Sequence, residues 1–377
     1  MNVEVALPYP AGGRGKSIAW LRCHARPIVL ICLGLTLASV FWFASRYPAL
    51  LVKARQTGQV LPSMAYSHAA FSIVLTDPVW KRILYGSLNW LDSMRVGMTF
   101  GVLFGALLHT VLRYYPLRIG QNYALNSLKG ALVGSPMGVC VNCAVPMACG
   151  VTRGHGRVEV ALGYLFSSPT FNPVVVAMTF LFLPWYFGFA KYILVCFLIL
   201  VFVPRLIRYL ESRRAMTPIT VDSSVSGACT LADDPCNIRF SQTLVEVAKD
   251  YATHVWMLVK PTLVLMLIAS VVSSALLVLV PWPALLGNVN FLYMAAAAIL
   301  GVFMPIPIAL DVMFAAQLYR QGVNPGYVML FLATLGTYSI IPTIYLWREV
   351  SHKLALYLFA FFVAAGLALG LLFAAVA

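Results

Sequence analysis

The chain has 377 residues, of which 61% are hydrophobic and 10% are charged. Soluble globular proteins average about 45–50% apolar and about 25% charged residues, so this composition excludes an ordinary cytosolic enzyme and a disordered chain. The net charge of +14 comes from 26 Lys and Arg against 12 Asp and Glu, and in so apolar a chain it indicates loop charge that orients a membrane protein. Because no run of basic residues alternates with aromatic residues, we do not expect nucleic-acid binding.

Continuous apolar segments predict membrane helices, because about 20 apolar residues span a bilayer. They cover residues 27–47, 97–113, 174–187, 190–207, 256–281, 326–347 and 354–376. The first segment follows four basic residues, Arg14, Lys16, Arg22 and Arg26, and is longer than the apolar core of a signal peptide. We therefore interpret it as a retained first membrane helix.

Two further regions, 130–152 and 291–319, are apolar but interrupted by Gly and Pro. Non-helical backbone lies at membrane depth only against protein or a wet cavity, so residues 130–152 are predicted to form a re-entrant hairpin. The polar residues 205–241 are predicted to be a linker by their composition. Another polar stretch, 48–85, is expected to carry a surface helix over residues 80–85.

The two halves of the chain share one pattern. Each has a helix, a Pro-interrupted apolar segment, a Gly (Gly156 or Gly322), a long apolar segment with an interruption, and a final helix. The interruption covers residues 167–173 in the first half and 335–342 in the second. Corresponding Gly/Pro-interrupted segments in two halves indicate a transporter site.

Charge predicts the orientation of these segments. If the basic N-terminus and the Arg205–Arg214 cluster both face the cytoplasm, an even number of crossings must separate them. Five candidate regions lie between them, so the hairpin at 130–152 must not cross. Each half then has three crossings and one hairpin, which inverts the second half relative to the first. In this arrangement the N-terminus is inside, and Lys191 and Arg320 fall outside.

The fold class is therefore predicted to be all-α, a polytopic membrane protein with two inverted repeats that contain Pro/Gly-broken helices or re-entrant hairpins. The expected domains are an N-terminal helix and connector (1–85), a first membrane repeat (86–210), a cytoplasmic linker (211–241) and a second membrane repeat (242–377).

The first candidate site is the cysteine cluster within residues 134–150. Cys140 and Cys143 are three residues apart and would share a helix face. Asn142 lies between them and Pro146 follows them, and all four residues are candidates for binding the solute. Thiolates are soft ligands that suit Zn, Cu(I) or a soft metalloid, so Cys140 and Cys143 are candidate metal ligands. The alternative is that these small residues only permit close helix packing.

The second candidate is the segment 167–173, which contains two prolines four residues apart. Each proline removes an amide donor, so a regular helix cannot continue through the segment. The hydroxyl and amide groups there are expected to bind a solute or to re-satisfy the broken backbone. The candidates are Ser168, Pro169, Thr170, Asn172 and Pro173.

In the second half, Asp311 is the acidic residue most deeply embedded in apolar sequence. An intramembrane carboxylate costs at least about 2.5–3.5 kcal/mol and is by default a candidate functional group, here for proton coupling. The alternatives are a static ion pair with Arg95 or Lys260 and an interfacial position. Pro307, Thr337 and Ser339 in the second-half interruptions are further candidates for solute contact.

Other chemistry has weaker support. Cys229 and Cys236 share a polar loop without His or a further Cys, which is a weak metal signal. The six His residues have no metal-ligand spacing, and the chain has no nucleophile elbow, phosphate-binding loop or dinucleotide fingerprint. We therefore expect neither ATP hydrolysis nor a cofactor.

The motifs over residues 90–375 resemble those of the permease family that includes the organoarsenical efflux permeases of the ArsP type. Members typically have a Cys-x-Cys-Gly-x-x-Pro element, to which Cys140 and Pro146 correspond, while Asn142 stands at the second Cys and Cys143 at the Gly. The Ser-Pro-x-x-Asn-Pro element matches at residues 168–173, and Asp311 stands where a Glu is usual. The resemblance implies a permease in the cytoplasmic membrane of a prokaryote.

These observations predict a secondary transporter that exports a soft metal, metalloid, organoarsenical or thiol-reactive solute and couples to protons. Its partners would be the lipid bilayer and a small-molecule or ion substrate. The alternative from another class is a membrane thiol–disulfide oxidoreductase that passes electrons through Cys140 and Cys143.

Overall fold

The computed structural model describes residues 24–48, 51, 71–74, 76–115, 120–155, 157–213, 240–287 and 289–376. Every regular element in these ranges is helical, which confirms the all-α class. Five helical stretches in them are long and apolar enough to cross a membrane: Ala25–Ser45, Val79–Tyr114, Trp185–Ser212, Phe240–Leu279 and His352–Val376. Val158–Thr170 and Pro173–Phe182, bent by 46° at their junction, form a sixth if they are counted as one span.

The first half contains eight helices in the described ranges. They are α1 (Ala25–Ser39), α2 (Val79–Tyr114), α3 (Tyr123–Gly134), α4 (Val141–His155), α5 (Val158–Thr170), α6 (Pro173–Phe182), α7 (Trp185–Phe197) and α8 (Val203–Ser212). Short π-helical segments continue α1 over Val40–Arg46 and join α7 to α8 over Leu198–Phe202.

The second half contains seven described helices. They are α9 (Phe240–Leu279), α10 (Trp282–Leu286), α11 (Phe291–Phe303), α12 (Leu310–Arg320), α13 (Pro325–Thr334), α14 (Ile340–Glu349) and α15 (His352–Val376). The helix breaks that matter below are residues 135–140, 171–172, 304–309 and 335–339.

The prediction of a separate surface helix at 80–85 is wrong. These residues are the first turns of α2, which is 36 residues long. The Lys81–Asp77 ion pair, 2.7 Å long, joins the start of this helix to the preceding turn. Apolar content alone located only the part of α2 after residue 96, because a helix continues through polar turns whenever its backbone hydrogen bonds are made.

Helices α2 and α4 are in backbone contact. A Cβ atom added at Gly101 would lie 2.4 Å from the carbonyl oxygen of Cys143, and one at Gly150 would lie 2.2 Å from that of Gly105. The contacts advance in the same direction along both helices, so α4 runs parallel to α2 and the chain turns back through α3 between them. Glycines permit this approach, as in other membrane helix pairs.

The long helices α2 and α9 join the two halves and run antiparallel. Gly86 meets Ser274 near one end of the pair, and His109 stacks on His254 near the other with ring centroids 3.9 Å apart. The Tyr251 hydroxyl also donates to the carbonyl oxygen of Leu103 at 3.2 Å. This pair therefore packs the first half of the chain against the second.

Candidate functional site

The two breaks of the first half lie against each other. The Ser168 hydroxyl accepts a hydrogen bond from the amide of Val139 at 3.3 Å and lies 3.4 Å from the Val139 carbonyl oxygen. Gly138 has φ 60°, and a Cβ there would lie 2.5 Å from Nδ2 of Asn172. Asn172 also caps α6, since its Oδ1 accepts the amide of Val174 at 3.1 Å. The polar groups predicted from residues 134–150 and 167–173 therefore meet.

Asn142, in the first turn of α4, connects this region to both breaks of the second half. Its Nδ2 donates to the carbonyl oxygen of Ile306 at 3.2 Å, and its Oδ1 accepts the Ser339 hydroxyl at 2.6 Å. Both Asn142 and Ser339 are fully buried. Trp90 of α2 makes another hydrogen bond to these breaks, from Nε1 to the carbonyl oxygen of Pro305 at 2.8 Å.

Asp311 forms a buried ion pair, but its partner is neither Arg95 nor Lys260. Lys191 of α7 places Nζ 2.5 Å from Asp311 Oδ2, with the two side chains 1% and 6% exposed. Arg95 instead pairs with Asp92 at 3.2 Å, three residues earlier on the same helix. The alternative in which Asp311 pairs with Arg95 or Lys260 is therefore wrong.

The burial of Lys191 also corrects its assignment to an outside loop. Helix α7 runs without interruption from Trp185 to Phe197, with Lys191 in its middle. The sequence could have indicated this, because Lys191 is a single cation with apolar residues on both sides, and charged residues in loops rarely have such neighbours. An intramembrane cation normally faces a partner charge or a cavity, so this position pointed to the carboxylate.

The second-half breaks hold their backbone in left-handed conformations. Gly336 has φ 75°, and a Cβ there would lie 3.0 Å from the carboxyl carbon of Asp311. Ala309, with φ 64°, immediately precedes α12. A non-glycine residue in this region is uncommon and carries strain, which is typical of functional sites.

The cysteine pair lies at the start of α4. Cys140 Sγ accepts the amide of Cys143 at 3.3 Å and lies 3.9 Å from the sulfur of Met94. Both cysteines are buried, and they do not form a disulfide with each other. No cluster of three or more His, Cys, Asp or Glu side chains with metal-binding geometry occurs among the described residues. A metal held by these two thiols would therefore need other ligands.

The remaining candidates lie in or beside the breaks. Pro146 and Pro169 are inside α4 and α5, and Pro173 is the first residue of α6. The Thr170 hydroxyl donates to the carbonyl oxygen of Phe166 at 2.6 Å, one helical turn earlier in the chain. The carbonyl of Pro307 accepts the amide of Leu310 at 3.3 Å. Thr337 is buried, and its hydroxyl has no hydrogen-bond partner among the described residues.

A cavity of about 70 Å³ lies one turn of α4 beyond Asn142, between α4, α9 and α14. Its lining includes Pro146, Cys149, Pro261, Tyr345 and Arg348. This volume holds several water molecules. The Cys149 thiol therefore borders a space that water can occupy. Cys229 and Cys236, the weak metal candidate, lie outside the described residues.

Comparison with known proteins identifies the family of this chain. A family model described as ArsP_1, a predicted permease, matches residues 98–375, about three quarters of the chain. The chain belongs to this family. It is also 24% identical over 288 residues to the UPF0718 protein YraQ of Escherichia coli (strain K12), which covers 74% of this chain and 77% of YraQ. No solved structure matches the chain.

Family membership and the apolar helices together identify a multi-pass integral membrane protein that transports a small molecule or ion. The resemblance noted in the sequence is thereby confirmed.

Proposed function

We propose that this permease is a secondary transporter that exports a soft metal, metalloid, organoarsenical or thiol-reactive solute and is driven by protons. The observation that carries the proposal is the position of Asn142, whose amide bonds both second-half breaks from the first turn of α4. Discontinuous helices that meet at one buried point are how transporters build a solute site.

In this proposal the cysteines and Asn142 contact the solute, and neighbouring polar groups orient it. Thiols favour soft solutes, and backbone groups that prolines release supply additional donors and acceptors. The contact residues are Cys140, Asn142 and Cys143; the orienting residues are Ser168, Thr170 and Asn172; the lining residues are Pro146, Pro169, Pro173, Pro307, Thr337 and Ser339.

Proton coupling is assigned to Asp311. A proton on its carboxylate would remove the attraction for Lys191 and free α7 from α12. Loss of one partner from a buried ion pair leaves an uncompensated charge, so this pair has two states with different contacts. The same proposal includes the inverted relation of the two halves, with residues 123–155 and 291–320 as re-entrant hairpins, the N-terminus inside, and placement in the cytoplasmic membrane.

The oxidoreductase alternative makes a different prediction for the cysteines. It requires a Cys140–Cys143 disulfide that forms and breaks, and complete loss of activity when either is changed to Ser. A transporter with a Cys→Ser change keeps transport of harder solutes. Thiol trapping before and after reduction separates the two.

The test uses the full chain in proteoliposomes, screened for uptake of arsenite, methylarsenite, Cu(I) and Zn(II) with a pH gradient. Asn142→Ala removes two hydrogen bonds of about 0.5–1.5 kcal/mol each, so we expect transport to fall about tenfold. Asn290→Ala is the matched control, since Asn290 is an exposed helix cap outside the site. If wild type moves none of these solutes above empty liposomes, or if Asn142→Ala equals wild type, the proposal is wrong.

A further inference from the structure

A second buried carboxylate, remote in sequence from Asp311, has one oxygen without a partner. Glu159, in the first turn of α5, is 0% exposed. Its Oε1 accepts Nδ2 of Asn126 at 2.9 Å and lies 3.6 Å from Nη1 of Arg157. Its Oε2 is buried with no hydrogen-bond partner among the described residues. A buried acceptor without a partner is destabilising, and more so when it is charged.

The Asn126 side chain, which bonds Glu159, also has a buried oxygen without a hydrogen-bond partner in the described ranges. Asn126 Nδ2 donates to the carbonyl oxygen of Gly120 at 2.8 Å as well as to Glu159, so a flipped amide would place Oδ1 against two acceptors. Asn126 Oδ1 is therefore correctly placed, and it too is buried without a donor in the described part of the chain. The two oxygens without partners in these ranges, Glu159 Oε2 and Asn126 Oδ1, therefore belong to side chains that are already hydrogen-bonded to each other.

We propose that Glu159 and Asn126 form a proton-binding site. A proton taken from water onto Oε2 makes that oxygen a donor to Asn126 Oδ1, while Nδ2 continues to donate to Oε1. One proton then satisfies both oxygens, and the two side chains form a cyclic carboxylic acid–amide pair. A metal cation fits less well, because Ca²⁺ takes six to eight oxygens and the Arg157 guanidinium is adjacent.

The packing around this site is tight between α3 and α5, while one hydrogen-bond partner of the site lies at the surface. A Cβ atom at Gly130 would lie 2.0 Å from the carbonyl oxygen of Val160, and one at Gly163 would lie 2.0 Å from that of Ser127, so α3 and α5 touch through their backbones. Gly120, whose carbonyl oxygen accepts from Asn126, is exposed. The site is therefore one hydrogen bond below the surface.

Two charged or titratable groups lie near Glu159: Arg157, before its own helix, and Tyr123 on α3, which is bonded to Glu211 on α8. The other helices packed against α5 carry Cys143 and Cys149 on α4 and Lys191 on α7, which is bonded to Asp311. Glu211 is exposed and has a tyrosine donor, so it differs from Glu159 in both burial and partner. It is the matched control.

The test is infrared difference spectroscopy of the purified full-length protein during a downward pH step. We expect a C=O band of a protonated carboxylic acid that is absent in Glu159→Gln and retained in Asp311→Asn and Glu211→Gln. A Gln at position 159 can accept from Asn126 Nδ2 and donate to Asn126 Oδ1, so Glu159→Gln is expected to fold. Asn126→Leu should retain the band but move it to higher frequency, because the acid loses its amide partner.

A spectrum of Glu159→Gln that matches wild type overturns the inference, as does a band that disappears equally in Glu211→Gln. The role of this proton in transport rests on the proposed function, but its binding does not. A band lost in Glu159→Gln together with no transported solute would leave the proton site intact and reject the transporter. Transport without such a band would support the transporter and reject the proton site.

Discussion

The Lys191–Asp311 pair is the clearest case in which two residues depend on each other. Both side chains are almost fully buried and 2.5 Å apart. Breaking a buried pair by removing one partner costs about 3–5 kcal/mol, whereas replacing both partners with neutral groups is often close to neutral. This difference allows structural and coupling roles to be separated.

We predict that Asp311→Asn and Lys191→Met each lower stability by about 3–5 kcal/mol, and that the double variant recovers most of this loss. Thermal unfolding of the purified protein in detergent measures it. If Asp311 accepts the coupling proton, the double variant folds but a pH gradient no longer drives its transport. Wild-type dependence on the gradient in the double variant would make the pair purely structural.

Asn142 departs from the family motif at a position where its side chain makes two hydrogen bonds. It stands where the permease motif has a second cysteine, and the structure gives its amide two partners from the other half. A thiol at this position could not donate and accept in the same way, because a thiol is a weak donor and a weak acceptor. This residue therefore links the two halves by hydrogen bonds that a cysteine would make poorly.

At the scale of elements, the α2–α4 contact positions the start of α4. Glycines at 97, 101 and 105 bring the two backbones together beside Cys143 and Pro146. Opposite Gly101 and Gly105 lie the backbone carbonyl oxygens of Cys143 and Pro146, which cannot rotate away as a side chain would. The register of α4, and with it the height of Asn142, depends on these glycines.

We predict that Gly101→Ala destabilises the protein by about 1–3 kcal/mol, because its Cβ would lie 2.4 Å from the Cys143 carbonyl oxygen. Gly120→Ala is the control, since a Cβ at Gly120 meets nothing within 4 Å. Thermal unfolding of both variants in detergent is the measurement. Equal stability of Gly101→Ala and wild type would show that the helices can separate without cost.

For the whole molecule, the proposed inversion of the halves makes a topological prediction. Gly120 and Gln321 are exposed and lie next to the two proposed hairpins. A cysteine introduced at Gly120 should react with a membrane-impermeant thiol reagent only from the cytoplasmic side, and one at Gln321 only from the opposite side. The parent protein without the added cysteine gives the background. Reaction of both from the same side would contradict the inversion.

The sequence by itself determined that the protein is helical, embedded in a membrane and a member of a permease family. Composition and apolar length suffice for the first two because lipid satisfies no backbone hydrogen bond, and the motifs at 140–146 and 168–173 carried the third. It also located the helix breaks, since glycine and proline act on the local backbone.

Only the tertiary structure decided which groups meet across the breaks. Asp311 pairs with Lys191, 120 residues away, and Asn142 bonds Ser339, 197 residues away. Glu159 acquires its unpaired oxygen only because α3 packs against α5 through glycines. Such contacts depend on helix packing between distant segments, whereas composition and periodicity report only on neighbours along the chain.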